Sequence, residues 1–181
     1  MSAPNHADLL QQLVPIVRAA GELVMAVYAT NFDVVSKDDA SPVTAADQQA
    51  EDLITEALAR LTPGIPVVGE EAVSGGAQPD IGERFWLVDP LDGTREFISR
   101  NGEFTVNIAL VEHGQPVLGV VLAPALGALY AGGVGLGAWV EQDGQRTPIA
   151  CRAVPPEGLS VVASRSHGDA AALDAFLAGR K

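Results

Sequence analysis

The run Trp86-Leu87-Val88-Asp89-Pro90-Leu91-Asp92-Gly93-Thr94 carries the clearest chemistry in the chain. An apolar strand delivers Asp89 to its carboxyl end, Pro90 fixes the backbone, and Gly93 permits a tight turn into a helix that Thr94 opens. Asp89 and Asp92 then emerge together, and their mutual repulsion is relieved by protonation or by a bound cation. Hard divalent cations prefer such oxygen donors, and magnesium usually takes one or two carboxylates while leaving places for water and phosphate. The N–H groups of Gly93 and Thr94 at the same turn attract an anion. Taken singly, each aspartate also has a structural reading: Asp92 as a helix cap, Asp89 as a strand end.

Two further acidic positions fall at comparable places. Glu70 follows Pro66-Val67-Val68-Gly69 directly, with Glu71 its neighbour, so it ends a strand that can lie beside the one ending in Asp89. It can join the metal site, and it also suits a solvated strand end. Asp47 closes Thr44-Ala45-Ala46-Asp47, a capping-box pattern that explains it without any catalytic role.

These residues need a scaffold. Leu9, Leu13, Ile16, Val17, Ala20, Leu23, Val24 and Val27 recur with helical spacing over residues 6–29, with Pro15 as a kink point. A short strand is expected at 33–35, a polar loop at 37–42, a second helix at 44–61, and strands at 65–69 and 84–88 separated by a loop from 72 to 83. After a short helix at 94–99, the segments 104–112, 116–122, 128–132 and 138–141 read as an antiparallel meander. Gly132-Gly133-Val134-Gly135-Leu136-Gly137 reads as a turn within it, since no strand-to-helix context follows. The Pro-rich stretch near 150–158 suggests a boundary between residues 1–153 and 154–181. A strand at 159–163 and a helix at 169–178 begin the second part. The expected class is α+β.

Composition narrows the function. Against 23 acidic residues stand 11 basic ones, a net charge of -12. That balance argues against a nucleic-acid polymer as partner, because binding one relies on Lys and Arg neutralising phosphate. An anionic substrate would need cations. The single cysteine, Cys151, cannot form an internal disulfide and suits a reducing, cytoplasmic setting. The first apolar stretch is broken by Gln11, Gln12 and Arg18, so neither a signal peptide nor a transmembrane segment is expected.

Pro42-Val43-Thr44-Ala45-Ala46-Asp47, Gly69-Glu70-Glu71 and Asp89-Pro90-Leu91-Asp92-Gly93-Thr94, in that order, resemble the lithium-sensitive, metal-dependent sugar phosphatase superfamily. That superfamily includes inositol monophosphatases, fructose-bisphosphatases and 3′(2′),5′-bisphosphate nucleotidases. Arg95-Glu96-Phe97-Ile98, Asn101 to Leu110 and Ser164-Arg165-Ser166-His167 are most similar to its bacterial bisphosphate nucleotidase branch, which is associated with sulfate assimilation.

The resemblance implies a layered α/β sugar-phosphatase fold with an amino-terminal helix-plus-antiparallel-sheet domain and a second α/β domain. It implies that Glu70, Asp89 and the Leu91 carbonyl hold one magnesium and that Asp89 and Asp92 hold a second, with two or three Mg2+ ions in the complete fold. Gly93 and Thr94 would cradle the scissile phosphate, beside Glu70, Leu91 and Asp92. Thr94 with Asp47 would orient the attacking water. The Lys37 to Ser41 loop is similar to the family's mobile lobe, and Ser164 and His167 to the contacts for the nucleotide's other phosphate. His167 equally suits a surface helix start. The implied substrate is a small phosphate monoester, adenosine 3′,5′-bisphosphate, with inositol or fructose phosphates as alternatives.

One departure stands out. Family members continue into a carboxy-terminal domain whose Trp-Asp motif supplies the last carboxylate to the second metal, whereas here Trp86 precedes Leu87 and Trp139 precedes Val140. The second domain is therefore expected to be truncated. An inactive metal- or nucleotide-binding remnant is the alternative of another class. Apolar surface after Leu159 would favour association, a homodimer included, and members near this branch can sit on the cytoplasmic face of the inner membrane.

Overall fold

The computed structural model describes residues 5–30, 42–78, 80–162 and 169–178. They fall into two compact units, Met1–Ile149 and Ala150–Lys181. The first opens with α1 (His6–Tyr28), started by the Asn5 side chain, which accepts from the Asp8 N–H at 2.9 Å. By length and composition α1 could cross a membrane. Its apolar stripe, however, lies in the core: Leu9, Leu13, Val17, Ala20 and Val24 are fully buried, and Pro15 is accommodated inside the helix. Helix α2 (Pro42–Leu61) packs beside it and buries Ala46, Ala50, Ile54 and Leu58, one residue per turn along one face.

Both helices cover one side of a seven-stranded sheet whose spatial order follows the chain: β1 (Val67–Gly69), β2 (Arg84–Asp92), β3 (Thr105–Glu112), β4 (Gln115–Ala123), β5 (Ala128–Gly133), β6 (Gly137–Gln142) and β7 (Gln145–Ile149). β1 and β2 run parallel and every later pair is antiparallel. Alternate residues Trp86, Val88, Val106, Ile108, Leu110, Leu118, Val120 and Leu122 meet the helices, as the period of two requires. The indole N–H of Trp86 donates to the Thr62 hydroxyl at 2.8 Å, and that hydroxyl donates to the Leu58 carbonyl, so β2 is bolted to the end of α2.

The helices, the meander and the glycine turn after β5, with positive φ at Gly135 and Gly137, agree with the sequence reading. Four details differ. β2 does not stop at Val88 but continues through Pro90 to Asp92, its register shifting between Asp89 and Asp92. A proline without an N–H is tolerated at such an irregularity. Glu70 is not a bare strand end, because it opens a one-turn helix, α3 (Glu70–Ser74). β7 was missed because all five of its residues are exposed and it lies at the sheet edge, where no burial pattern marks it. In the second unit, residues 159–162 pair with no strand among the described residues, and Val162 is 96% exposed. The helix there, α5 (Ala170–Leu177), is capped by Asp169, which accepts from the Ala171 and Ala172 N–H groups. The strand expected at 33–35 lies outside the described residues.

Candidate metal and phosphate site

Parallel pairing of β1 with β2 sets Gly69 opposite Val88. The residues that follow, Glu70 opening α3 and Asp89 still in β2, therefore lie at the same end of this strand pair, and the two side chains are hydrogen-bonded. Asp47 approaches from α2 and is hydrogen-bonded to Glu71. The short helix α4 (Thr94–Ile98) follows β2 at once.

Burial and crowding of like charge dominate the electrostatics. Burial, then the charges of Glu71, Glu70 and Asp89, push the Asp47 carboxyl up to about 8. Burial, then Glu70 and Asp92, push Asp89 up to about 7. Burial also raises Glu71, against the opposing effect of its hydrogen bond with Asp47. The charges that raise these three carboxyls, Glu51, Glu70, Glu71, Asp89 and Asp92, are all negative. Asp47 Oδ1 and Asp89 Oδ1 are buried with no hydrogen-bond partner among the described residues. Unpartnered buried carboxylate oxygens in a negative cluster are a donor set suited to a hard divalent cation. Among the described residues no three such side chains yet form a ready-made ligand group. The carboxyls stand two by two, Glu70 with Asp89 and Asp47 with Glu71.

Asp92 is exposed at the rim and accepts from Asn107 Nδ2 at 3.5 Å. The Thr94 hydroxyl donates to the Leu91 carbonyl at 3.4 Å. Gly93 has φ +95°, and a Cβ there would meet the Glu103 carbonyl at 2.9 Å, so only glycine lets the chain turn this tightly against β3. No side chain caps α4.

Asp47, Glu70, Asp89 and Asp92 thus interact where α2, α3 and the end of β2 meet, while Leu91, Gly93 and Thr94 lie along the turn by which β2 passes into α4. Ser164, His167 and the Lys37 to Ser41 loop lie outside the described residues. Three residues of the site were missed in the sequence. Glu71 was seen only as a neighbour of Glu70. Asn107 stands opposite Asp89 across β2 and β3, and a lone polar residue in Val106-Asn107-Ile108-Ala109-Leu110 was its available signal. Glu51 is 3% exposed yet acidic, one helical turn after Asp47, and that spacing was its signal.

Residues 5–178 match the Inositol monophosphatase family. The chain is 52% identical over 164 residues to the 3'(2'),5'-bisphosphate nucleotidase CysQ of Escherichia coli O157:H7 and 51% identical to that of strain K12. Each match takes in 90% of this chain but 65% of the relative, so the chain spans just under two thirds of their length. Among solved structures, CysQ from Bacteroides thetaiotaomicron, described as a bacterial member of the inositol monophosphatase family, is 34% identical with a TM-score of 0.70, over 93% of this chain and 66% of that one. An inositol monophosphatase from Zymomonas mobilis is 30% identical with a TM-score of 0.69, over 84% and 56%. With a match along almost its whole length and a fold shared with these structures, the chain belongs to the inositol monophosphatase family.

Proposed function

We propose that the chain is the metal-binding part of a magnesium-dependent phosphomonoesterase that hydrolyses adenosine 3′,5′-bisphosphate to AMP and phosphate. The observation that carries this reading is the junction of β1 and β2, where Glu70 and Asp89 meet and the buried Asp47 Oδ1 and Asp89 Oδ1 lack partners among the described residues. The substrate follows from half-identity to relatives named bisphosphate nucleotidases. In this reading residues 1–153 form the catalytic domain and 154–181 begin the second, in a cytoplasmic protein.

Glu70, Asp89, the Leu91 carbonyl and Asp92 would hold the magnesium. When bound, magnesium supplies Lewis acidity toward the phosphate and a local positive charge that draws an anion into a negative pocket. The chain's own residues do the positioning. The backbone turn at Gly93 and Thr94 receives the phosphate. Asp47 holds a proton in the metal-free site, and once that proton is lost its carboxylate accepts one from the attacking water, which the Thr94 hydroxyl orients. In-line placement of that water against phosphorus is the main source of rate.

The test is phosphate release by this chain from adenosine 3′,5′-bisphosphate, inositol monophosphate and fructose bisphosphate, with and without Mg2+ and Li+. Magnesium-dependent, lithium-inhibited release with the nucleotide preferred is expected. Preference for inositol phosphate would overturn the substrate assignment. Calorimetric Mg2+ binding without turnover would make the chain a non-catalytic binding protein.

A further inference from the structure

Helix α3 starts at a residue that cannot cap it. Its N-cap is Gly69, with no side chain to accept from the first N–H groups. The partners come instead from 20 and 21 residues earlier: Glu51 Oε2 accepts from the Glu71 N–H and Oε1 from the Ala72 N–H, both at 2.8 Å. The Glu51 side chain fills the space at Gly69, where a Cβ would fall 2.2 Å from its carboxyl carbon and 2.4 Å from each oxygen. Glycine at 69 and glutamate at 51 are therefore one device.

A Ser, Thr or Asp at position 69 would satisfy the same N–H groups locally, without taking a carboxylate out of water. The long-range cap does something a local one cannot. Glu51 belongs to α2, whose Ala50, Ile54 and Leu58 are fully buried in the core. Gripping two consecutive N–H groups with two oxygens fixes both the distance and the rotation of α3 against α2. Asp47 lies one turn earlier on that same helix, so α2 becomes the common reference for Asp47 and for the residue that opens α3, Glu70.

We propose that Glu51 is a positioning residue, whose clasp on the Glu71 and Ala72 N–H groups sets where the Glu70 carboxylate stands for a divalent cation. The inference rests on reading Glu70 and Asp89 as cation ligands. Glu51 itself touches neither cation nor substrate.

Mn2+ binding measured by calorimetry on the full chain tests it, with Glu51→Gln, Glu70→Gln and the double variant, each checked for folding by circular dichroism. A glutamine can accept with only one oxygen, so one N–H is left facing an amide. E51Q is expected to weaken Mn2+ about 10- to 100-fold, the range seen when a ligand's supporting partner is removed. It should also speed exchange of the Glu71 and Ala72 amide protons. Adding E51Q to E70Q is expected to weaken binding little further, because the ligand through which Glu51 acts is already gone. Binding by E51Q within about twofold of the parent overturns the proposal, as do losses that multiply in the double variant. If E51Q does not fold, Glu51→Asp, which keeps the charge but shortens the reach, takes its place under the same criteria. If neither folds, Glu51 is a stability residue and the proposal falls. A parent chain that binds no Mn2+ rejects the cation site itself, a result distinct from all of these.

Discussion

Asp89 on β2 and Asn107 on β3 face each other in the antiparallel register, and each keeps one buried oxygen with no hydrogen-bond partner among the described residues. A buried acceptor left unsatisfied costs about 1–3 kcal/mol. Two of them side by side, next to a pair of carboxyls that repel one another, make this end of the sheet weaker than packing alone would. Such local conflict at an otherwise well-packed junction is where function is written into a fold.

Relieving that conflict should stabilise the metal-free chain and disable it. At about pH 8, where Asp89 is ionised, Asp89→Asn removes one negative charge beside Glu70 and Asp92. It is expected to raise stability in EDTA by about 1 kcal/mol, or roughly 2–4 °C for a chain of this length. It should also abolish the further rise that Mg2+ gives the parent, and phosphate release should fall on the order of a thousandfold. Thermal melts with and without Mg2+ check the first two effects, and equal Mg2+ stabilisation of parent and variant would contradict the ligand assignment.

The same carboxyls predict an unusual pH dependence. Asp89 at about 7 and Asp47 at about 8 both lie above the ordinary 3.8, so the folded chain binds these protons more tightly than the unfolded one. Their contribution to stability is complete below about pH 4 and is lost as pH rises through about 7 and then about 8. Urea midpoints in EDTA should therefore fall progressively from about pH 4 and level off above about pH 8, and saturating Mg2+ should flatten the fall. Asp47→Asn should make the fall shallower throughout and remove its last stretch, between about pH 7 and about pH 8. A midpoint that holds or climbs over this window would show that the two carboxyls titrate normally.

Gly93→Ala tests the turn rather than the charges. With φ at +95° and the Glu103 carbonyl 2.9 Å from the added methyl, the backbone must shift or the segment before β3 must move. A loss of about 1–3 kcal/mol is expected from the strained φ alone. Because the turn leads directly into Thr94, phosphate release should drop more than stability explains, with KM for the phosphate ester rising. A variant with unchanged KM would detach this turn from phosphate binding.

These sites were unequally legible in the sequence. Glu70, Asp89 and Asp92 could be grouped because each ends or follows an apolar strand, and strand ends are readable from hydrophobic runs. The extension of β2 through Pro90 was not readable, since proline normally argues against a strand, and only the register shift against β3 reconciles the two. Glu51 was hidden for a different reason. Its partners are backbone N–H groups twenty residues away, and backbone groups carry no residue identity. β7 left no trace because a strand exposed along its whole length has no alternation to find.

Helix α4 presents the last test. Five residues are too few to hold a helix by themselves, so the turn that begins with Thr94 needs an anchor. Phe97 provides it: the ring is fully buried, 5.0 Å from the Tyr28 ring at the end of α1 and 5.0 Å from Phe104 just before β3. Tyr28 and Phe104 close the triangle at 4.9 Å. Just beyond the helix, the Arg100 guanidinium donates to the Tyr28 and Thr30 carbonyls and lies over the Tyr28 ring, tying α4 to the end of α1 a second time. Phe97→Ala should destabilise the chain by about 3–5 kcal/mol through the cavity and the lost ring contacts. Phe97→Leu should recover much of that. Arg100→Ala should cost about 0.5–1.5 kcal/mol, the exposed site lowering the value, with Arg100→Lys intermediate because an ammonium cannot span both carbonyls as a fork does. Denaturant midpoints give these values, and amide exchange at residues 94–98 locates them. If exchange there stays slow in Phe97→Ala, α4 is held by something other than this aromatic triangle.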